Sequence, residues 1–535
     1  MQHHRTTQPP AAPSARRRER RHACPGNAAP RRVRSAATRA NCCPRRFGPL
    51  RAHGEEARPR RCAAPCPLSR SGPSAAAGWP RPYGRSTFSL VAISILTGSI
   101  GAAAPPGQYL GWTCAQAGVD RATVTTTNPL LRAPAAEEFP AMWRSMVDTF
   151  SESAHDADLT LETTLAEPER CLIALDGDDI VATAGIFTRD LTVPGAIVPI
   201  AGVTYVTVAP THRRRGVLTE IMVRQLTELH EQDGEAVAAL WASEAGIYQR
   251  FGYGNAAPRA SISGSTRETA FRREVDLGTG RVRRLGEDKV RPHAQAVYDA
   301  LRPAAVGWLD RPDKWWARRH YDPEHYREGF TEQRYLAHEE RDGQVTGWAS
   351  YRVKGEFERT GPNGLVALLD IGATTPQAQA ALWRFLLDQD LVRRFRRRMS
   401  GPDDSLQHLV LNPRAVETEI SDGLWVRLVD VDRALAARRY SAEIDIVLDV
   451  SDDVCPWNAG RWRLTAGPDG AECAATTDPA DLQLTSTELG AAYLGGPSLA
   501  ALALAGRVRE LTTGALHTAA TAFGWHTAPW CPEVF

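Results

Sequence analysis

Val203–Leu218 has the sequence VTYVTVAPTHRRRGVL, which predicts a strand, a turn and the start of a helix. The β-branched and aromatic residues of its first half favour an extended strand. Pro210 ends this strand because it has no N–H group to donate to a sheet. Thr211 is the predicted N-cap of a helix that extends to Gln232, in which apolar residues recur at helical spacing. The segment therefore predicts the strand, turn and helix around which the fold is organised.

Three arginines, Arg213–Arg215, and Gly216 lie near the predicted helix start. Free N–H groups and the helix dipole attract anions at such a position. Guanidinium groups add fork-shaped donors for phosphate oxygens, and a glycine lets the backbone approach a bulky anion closely. Arginines at a helix start are also common on solvated surfaces, so the residues alone leave a phosphate site and a solvated face as alternatives.

The order of strand, proline, Arg-x-x-Gly and helix resembles the pyrophosphate-binding motif of GNAT acyltransferases, R/Q-x-x-G-x-G/A. Leu218 departs from the last small position of that motif. The longer string APTHRRRGVLTEIM, residues 209–222, is similar to the Eis (enhanced intracellular survival) family, multi-domain GNAT enzymes that acetylate amines, aminoglycosides among them. The resemblance covers about residues 125–535. It implies acetyl-CoA as co-substrate, no metal, and the following cofactor-binding residues: Val206, Thr207, Val208, Arg214, Arg215, Gly216, Val217, Leu218, Thr219, Ser243 and Glu244.

A second motif, ASEAGIYQRFGYG over Ala242–Gly254, is nearly identical to a string of the same family. The resemblance implies that Tyr248 is the general acid, because it stands where the family places that tyrosine. A phenol with an ordinary pKa of about 10 can donate a proton to a developing thiolate if it is well placed. Tyr253 lies in the same loop without matching the acid position, so we expect it to pack. Without the motif, core packing is also the ordinary role of a tyrosine.

The sequence ends at Phe535, and a chain terminus is normally a frayed, solvated end. The family resemblance instead implies that the carboxylate of Phe535 enters the catalytic domain as general base. Val534 departs from the family, in which an acidic residue commonly precedes the last one, and Glu533 is shifted by one position. Glu152 stands where the family places an acidic residue of the substrate pocket, so it is the predicted substrate-binding residue.

Charge is distributed unevenly along the 535 residues. Residues 1–85 contain 19 arginines, no lysine and three glutamates, a net charge of +16, which leaves −14 for the rest of the chain. An acidic body argues against nucleic-acid binding and favours a cationic substrate, since a field of one sign concentrates the other. The cysteines show no complete metal-ligand pattern, so no metal is predicted and a reduced, cytoplasmic protein is the default.

Residues 1–120 are predicted to be disordered, or to come from an over-extended reading of the gene. The first 85 are rich in arginine, proline and alanine, a composition that cannot bury enough surface to offset chain entropy. Residues 88–104, FSLVAISILTGSIGAAA, are apolar and resemble a signal segment or a short membrane helix. Their apolar centre is short for a bilayer span, so no stable membrane association is expected.

The order of elements after residue 120 predicts an α/β (α+β) chain. With the resemblance, it implies a GNAT acyltransferase fold with tandem GNAT-like domains and a C-terminal sterol-carrier-like α+β domain. We place a catalytic GNAT domain at 121–270, a non-catalytic GNAT-like domain at 271–430 and the sterol-carrier-like domain at 431–535. The resemblance also implies that the central strand splays from the buried strand Ala236–Trp241. Arg393–Arg398 is predicted as a solvated helix face that pairs with Asp388 and Asp390.

Other elements follow from periodicity and turn residues. The predicted helices are Pro140–Phe150, Pro376–Leu387, Thr485–Tyr493 and Leu499–Ala505. The predicted strands are Leu172–Leu175, Ile180–Leu191, Ala196–Ile200, Val203–Val208, Arg334–His338, Gln344–Lys354, Leu365–Ile371, Ile444–Val450 and Arg461–Leu464.

These observations predict an acetyl-CoA-dependent N-acetyltransferase. The expected acceptor is a polyamine or an aminoglycoside-like amine, which attacks the thioester directly. Two alternatives stay open: a protein lysine acetyltransferase, and a non-enzymatic protein that binds acyl-CoA or lipid through the sterol-carrier-like domain. The family resemblance also implies a homohexamer.

Overall fold

The computed structural model describes residues 129–535, and all structural statements below concern these residues. Their first part alternates short helices with long antiparallel strands. Its elements are β1 Leu130–Arg132, α1 Phe139–Thr149, α2 Asp156–Leu165, β2 Leu172–Asp176, β3 Asp179–Val193, β4 Ala196–Val208, α3 Val217–Glu231, β5 Val237–Trp241, α4 Ala245–Tyr248 and β6 Gly254–Ser265.

The second part repeats the mixture of helices and strands. Its elements are β7 Arg281–Leu285, α5 Glu287–Leu301, α6 Asp313–His320, β8 Arg334–Glu339, β9 Val345–Lys354, β10 Phe357–Glu358, β11 Gly361–Pro362, β12 Gly364–Ala373, α7 Pro376–Leu387, β13 Val392–Ser400, α8 Leu406–Leu409 and β14 Glu417–Leu428.

The first two parts share one twelve-stranded sheet, in the order β1-β2-β3-β4-β5-β14-β6-β13-β12-β9-β8-β7. Strand β14 belongs to the second part of the chain, yet it pairs antiparallel with both β5 and β6 of the first. Strand β6 in turn pairs antiparallel with β13. The two parts are therefore joined by continuous backbone hydrogen bonding as well as by side-chain packing.

The third part places helices against a five-stranded sheet ordered β17-β16-β15-β18-β19. Its elements are α9 Val431–Ala436, β15 Ile444–Ser451, β16 Gly460–Ala466, β17 Ala471–Ala475, β18 Leu482–Thr485, α10 Ser486–Ala492, α11 Leu499–Leu504, β19 Arg509–Glu510 and α12 Ala515–Phe523.

One hydrophobic cluster connects all three parts of the chain. It contains Trp143 of α1, Trp315 of α6 and Leu448 of β15, and it also contains Phe535. Burial of apolar area is the main favourable term in folding, so a shared cluster makes the three parts stabilise one another. The end of the chain is thereby held in the interior of the molecule.

Most predicted elements are confirmed to within a few residues, including α1 and the full length of α7. Three predictions are wrong. Thr211 is not the N-cap of α3, because Pro210–His212 forms a separate 3₁₀ turn and the α-helix begins at Val217 after Gly216. The two strands predicted over Ala196–Val208 are one strand, β4.

The third correction concerns Arg393–Arg398, which is a strand and not a helix face. The segment pairs with β12 on one side and β6 on the other, so ladder hydrogen bonding overrides the helical preference of its arginines. Asp388 forms an ion pair with Arg384 instead of with this segment.

No helix among residues 129–535 has the length and apolar character that a bilayer span requires.

Candidate active site

A β-bulge interrupts β4 in the middle of the sheet. Thr204 pairs with Gly185 and Thr207 with Thr183, so Tyr205 and Val206 together oppose one residue of β3. Tyr205 has φ of 56°, an uncommon conformation for a tyrosine. The hydroxyl of Thr183 donates to the carbonyl oxygen of Tyr205 over 2.6 Å and so holds the bulge. Bulges of this kind bend a strand and end its pairing beside functional sites.

Strands β4 and β5 separate after Gly202, just before the bulge. They are parallel neighbours, but only Ala201–Ala238 and Gly202–Ala239 are paired between them. The predicted splay is thus confirmed, and it leaves Val206 and Val208 beside a gap in the sheet. Thr207 is buried and its hydroxyl lies 2.7 Å from that of Thr183, so this predicted cofactor residue faces β3 with its side chain.

The loop before α3 combines two left-handed residues with three exposed arginines. Arg214 has φ of 64° and Gly216 has φ of 87°. Gly216 is the N-cap of α3, a helix of 15 residues. Left-handed residues in such a loop aim backbone N–H groups at one point, which suits an anion. These features fit the pyrophosphate of the predicted co-substrate.

The remaining residues predicted around this loop differ in exposure. Arg214, Arg215 and Thr219 are exposed, Leu218 is half-buried, and Val217 is buried among core residues. Val217 therefore contributes through its backbone position and anchors the first turn of α3 with its side chain.

Tyr248 ends the short helix α4 and is 5% exposed. Burial raises the pKa of its phenol to about 12, although a hydrogen bond with the side chain of Ser243 acts in the opposite direction. Ser243 is half-buried, whereas Glu244 is exposed at the N-terminal end of α4. Two predicted cofactor residues thus precede the predicted acid by four and five positions, and Ser243 forms a hydrogen bond with it.

Phe535 and Tyr248 line the same cavity, which opens beside the bulge of β4. Phe535 is 2% exposed. Its ring lies so close to Gly202 that a Cβ atom added to this glycine would be 3.1 Å from Cε2 of Phe535. Only glycine allows this approach without a shift of the ring. The residues around the cavity are Met146, Phe150, Val203, Thr204, Tyr205, Val206, Trp241, Ser243, Tyr248 and Phe535.

The predicted substrate residue Glu152 lies two positions after Phe150 and is half-buried. It is not among the residues that line this cavity. A different carboxylate, Glu162 of α2, is connected to the cavity wall because it accepts a hydrogen bond from the hydroxyl of Tyr205 over 2.7 Å. Glu162 also forms a buried ion pair with Arg318.

A buried ion-pair network holds the last residues of the chain. The carboxylate of Glu533 lies 2.6 Å from Nε of Arg311 and 3.1 Å from a terminal nitrogen of Arg189. Arg311 also pairs with Asp370 at 2.9 Å, and Arg189 with Asp310 at 2.8 Å. These groups come from β3, β12 and the segment before α6, so the tail is tied to both halves of the large sheet.

Sequence reasoning missed this network and the role of Glu533. The available signal was an arginine inside an apolar strand, since a buried arginine requires paired acceptors. The partners of Arg189 are Asp310 and Glu533, which lie 121 and 344 positions away in the sequence. Sequence spacing does not reveal such distant contacts. Among the described residues, no group of three or more histidine, cysteine, aspartate or glutamate side chains is arranged to hold a metal ion.

Comparison with known proteins matches a family model to each of the three parts described above. Two family models, each described as an acetyltransferase (GNAT) domain, match residues 131–256 and 307–428. A model of the sterol carrier protein domain matches residues 431–532.

Relatives extend over most of the described chain. An uncharacterized N-acetyltransferase of Streptomyces avermitilis is 46% identical over 375 residues, which cover 70% of this chain and 91% of the relative. The N-acetyltransferase Eis of Mycobacterium tuberculosis is 33% identical over 409 residues, which cover 74% and 96%. The crystal structure of Eis1 from Mycobacterium abscessus superposes with a TM-score of 0.65 and 32% identity, and covers 76% of this chain and 99% of that one. The chain belongs to the Eis family of GNAT N-acetyltransferases, enzymes whose acetyl donor is acetyl-CoA.

Proposed function

We propose that this enzyme acetylates a primary amine by direct attack of the amine on the thioester. The observation that carries the proposal is the cavity beside the β4 bulge, which both Tyr248 and Phe535 line, together with the short pairing between β4 and β5. An acid and a base that line one small cavity can serve the two proton transfers of acetyl transfer. Direct attack then requires no nucleophilic side chain.

Acetyl-CoA supplies the activated acetyl group, and the protein supplies its binding surface. The N-terminus of α3 and the arginines of its loop are the groups that would hold the pyrophosphate. The N–H groups of Val206 and Val208 would polarise the thioester carbonyl and bind the pantetheine, since donors fixed by a sheet need no reorganisation during reaction. Thr219, Ser243 and Glu244 would complete this surface.

Tyr248 is suited to protonate the leaving thiolate. Burial raises the pKa of its phenol to about 12, so the group keeps its proton at every physiological pH. Ser243 contacts the hydroxyl and would orient it. As the thioester bond breaks, negative charge develops on the leaving CoA sulfur. This charge favours transfer of the proton from the phenol to the sulfur.

Phe535 is suited to place a carboxylate near the attacking amine. Its ring packs against Gly202, and Glu533, two residues earlier, is held by its ion pair with Arg311. The position of the last carboxyl group is therefore restricted. A carboxylate in this position would accept the amine proton directly or through a water molecule. The expected acceptor is an amine of the polyamine or aminoglycoside class, and Glu152 remains a predicted contact for it.

Two modified chains test the role of the tail. Deletion of Phe535 removes the ring and moves the carboxylate, whereas amidation of Phe535 by semisynthesis keeps the ring and removes only the charge. We expect both to lose at least 100-fold in kcat, the lower part of the usual range for acid–base catalysis, while acetyl-CoA affinity by calorimetry stays unchanged.

The outcomes separate the possible roles of the tail and of the protein. If only deletion slows turnover, the ring anchors the tail and another group, with Glu152 first among the candidates, is the base. A protein that binds acetyl-CoA but releases no CoA with polyamines, aminoglycosides or lysine peptides would instead be a non-enzymatic acyl-CoA binder. The same panel separates small amines from protein lysines as acceptors.

The cytoplasmic location and homohexamer expected from the sequence stay predictions. Native mass spectrometry of the purified protein tests the hexamer.

A further inference from the structure

The helix that carries Tyr248 is too short to fix the position of this side chain by itself. Helix α4 has four residues, and short helices are marginal without tertiary contacts. A 3₁₀ turn over Gln249–Phe251 follows it and ends at Gly252, which has φ of 80°. The carbonyl oxygen of Gln249 accepts the N–H of Gly252 over 3.1 Å, and that of Tyr248 accepts the N–H of Tyr253 over 3.2 Å. The direction of Tyr248 therefore depends on what holds the loop of residues 249–254.

Helix α10 of the third part packs directly against this loop, and glycines make the contact close. A Cβ atom added to Gly252 would lie 2.7 Å from the hydroxyl oxygen of Ser486. One added to Gly254 would clash with the backbone of Thr487 and would lie 2.8 Å from Cα of Ala491. Only residues without a side chain permit such an approach. The loop and the helix therefore meet so closely that a shift of one must move the other.

One hydroxyl group of α10 forms a hydrogen bond with the loop. Oγ1 of Thr487 donates to the carbonyl oxygen of Gln249 over 3.2 Å, although 238 positions separate the two residues. This oxygen also accepts the N–H of Gly252, so Thr487 holds the same atom that closes the 3₁₀ turn. Thr487 is 9% exposed, and a hydrogen bond is stronger where the surroundings are less polar than water. The bond thus fixes the residue that directly follows Tyr248.

Helix α10 is itself held in place. Thr485 is its N-cap and accepts the N–H of Thr487, whereas Glu488 accepts the N–H of Thr485, as in a capping box. Glu488 also pairs with Arg507 over 2.5 Å. All residues of the helix, Ser486–Ala492, are buried. A buried and capped helix is a rigid support for the loop.

A buried ion pair adds a second connection between this loop and the third part. Arg427 of β14 lies 2.5 Å from the carboxylate of Asp452, and both side chains are at most 1% exposed. The guanidinium group also lies against Gly252, where an added Cβ atom would be 2.5 Å from Nη1. Asp452 in turn accepts the N–H groups of Val454 and Cys455. Gly252 is thus packed against a group that cannot move without breaking this pair.

The third part acts on the active site from a distance. None of its helices and strands lines the active-site cavity in the described chain. Helix α10 nevertheless contacts the loop that follows Tyr248. Catalysis depends steeply on the alignment of the reacting groups, so a support that acts through this loop can change turnover without touching either substrate.

We propose that Thr487 is a positioning residue for the reaction, which holds the turn after Tyr248 and thereby keeps the phenol aligned with the leaving sulfur. The inference rests on the proposed function, in which Tyr248 is the general acid. It assigns the third part of the chain a role in turnover that does not require this part to bind a ligand.

Removal of the Thr487 hydroxyl tests the inference. Thr487→Val keeps the shape of the side chain and loses the donor. We expect kcat to fall about three- to tenfold, the range that one net hydrogen bond supports, while the KM for acetyl-CoA is unchanged. Thr487→Ser keeps the hydroxyl and should recover most of kcat. Thr521→Val is the matched control, because the hydroxyl of Thr521 donates to the carbonyl oxygen of His517 within α12.

Two further measurements distinguish positioning from stability alone. In a double-mutant cycle, Thr487→Val should cause no further loss of kcat in the Tyr248→Phe background, because the acid that Thr487 positions is already absent. Hydrogen exchange of the peptide 249–254, followed by mass spectrometry, should be faster in Thr487→Val and unchanged in Thr521→Val. This peptide contains the N–H groups that close the turn.

The outcomes separate this inference from the proposed function. A wild-type kcat for Thr487→Val, beside a slow Tyr248→Phe, would overturn the inference and leave the proposed function in place. Equal losses from Thr487→Val with and without the phenol of Tyr248 would also overturn it, because Thr487 would then act on turnover by another route. A wild-type kcat for Tyr248→Phe would contradict the proposed function, and this inference would fall with it.

Discussion

At the residue scale, two neighbouring tyrosines illustrate how local environment separates chemistry from packing. The rings of Tyr248 and Tyr253 meet edge to face with centroids 6.1 Å apart in one hydrophobic cluster. The hydroxyl of Tyr248 forms a hydrogen bond with Ser243, and Tyr248 lines the cavity beside the β4 bulge. The hydroxyl of Tyr253 is buried with no partner among the described residues. We therefore expect only Tyr248 to exchange a proton with a bound molecule.

Tyr248→Phe should therefore slow turnover while Tyr253→Phe leaves it unchanged. Loss of a general acid typically costs about 10²–10⁴-fold in rate. Neither change removes ring packing, so the midpoint of thermal unfolding and the acetyl-CoA affinity should stay near those of the wild type. Steady-state kinetics with both variants make the comparison. A wild-type kcat for Tyr248→Phe would show that another group or water protonates the thiolate.

The raised pKa of Tyr248 also predicts how kcat depends on pH on the alkaline side. A general acid works in its protonated form, and burial moves the loss of that form to a pH of about 12. The kcat should therefore show no fall through a group with the ordinary tyrosine pKa of about 10. A kcat profile to pH 10.5 measures this. A fall in kcat near pH 10 that is absent in the Tyr248→Phe variant would contradict the conclusion that burial raises the pKa of Tyr248.

At the scale of the element, the start of α3 depends on a left-handed glycine. The segment before it forms a separate turn, in which His212 lies 3.0 Å from Asp176 of β2. The helix then begins with its free N–H groups directed towards the loop of arginines. A Cβ atom added at Gly216 would have no heavy atom within 4 Å. A substitution there would therefore be strained by the positive φ of this position and not by a steric clash.

Gly216→Glu should weaken acetyl-CoA binding by at least tenfold. The variant adds a negative charge at the helix N-terminus where the pyrophosphate is expected, and charges at helix termini act over a short range. Gly177→Glu is the matched control, since Gly177 also has a positive φ of 63° and open space but lies in the β2–β3 hairpin turn. Calorimetry with both variants separates backbone strain from charge. Equal affinities would remove the anion-binding argument.

The tail is the second element on which the proposed function depends. Its apolar end packs in the core, but Glu533 fixes it through Arg189 and Arg311, whose side chains are fully buried. Removing one member of a buried ion pair leaves uncompensated charge and commonly costs about 3–5 kcal/mol. The network therefore both stabilises the fold and sets the place of Phe535.

Glu533→Gln should lower the free energy of unfolding by about 3 kcal/mol, for the reason just given. It should also lower kcat, since the tail loses the charge that holds it, while acetyl-CoA affinity is retained. Glu533→Asp, which keeps the charge on a shorter side chain, should recover part of the kcat. Chemical denaturation and steady-state kinetics measure the two effects. A destabilised variant with normal kcat would restrict Glu533 to a structural role.

At the scale of the whole molecule, the core and the shared sheet lie within residues 129–535. We expect residues 1–120 to be dispensable, because their arginine-rich composition offers little apolar area to a core. A chain that starts at Thr125 should unfold at the same temperature and keep the same kcat and KM as the full chain. Circular dichroism and turnover measurements compare the two. Loss of folding in the shorter chain would contradict the expectation.

Local patterns in the sequence determined most of the elements and the order of the site residues. The strand, proline and helix around Val203–Val208 and the motif containing Tyr248 follow from short-range preferences. Arg393–Arg398 shows the limit of such reasoning, since its arginines favour a helix but its neighbours in the sheet impose a strand. Propensity is worth a few tenths of a kcal/mol per residue, and tertiary pairing readily exceeds it.

The sequence by itself determined the family, the candidate acid and the candidate base, because each of these is carried by contiguous residues. Only the tertiary structure decided what surrounds them. Strand β14 is inserted between β5 and β6, Arg189 and Arg311 pair with Glu533, and Glu162 contacts Tyr205 and Arg318. Each of these contacts joins segments that are distant in the sequence. Charge is the physical reason that this matters for function. Arg189, Arg311 and Glu533 are far apart in the sequence, and only the fold decides which of these charges face each other.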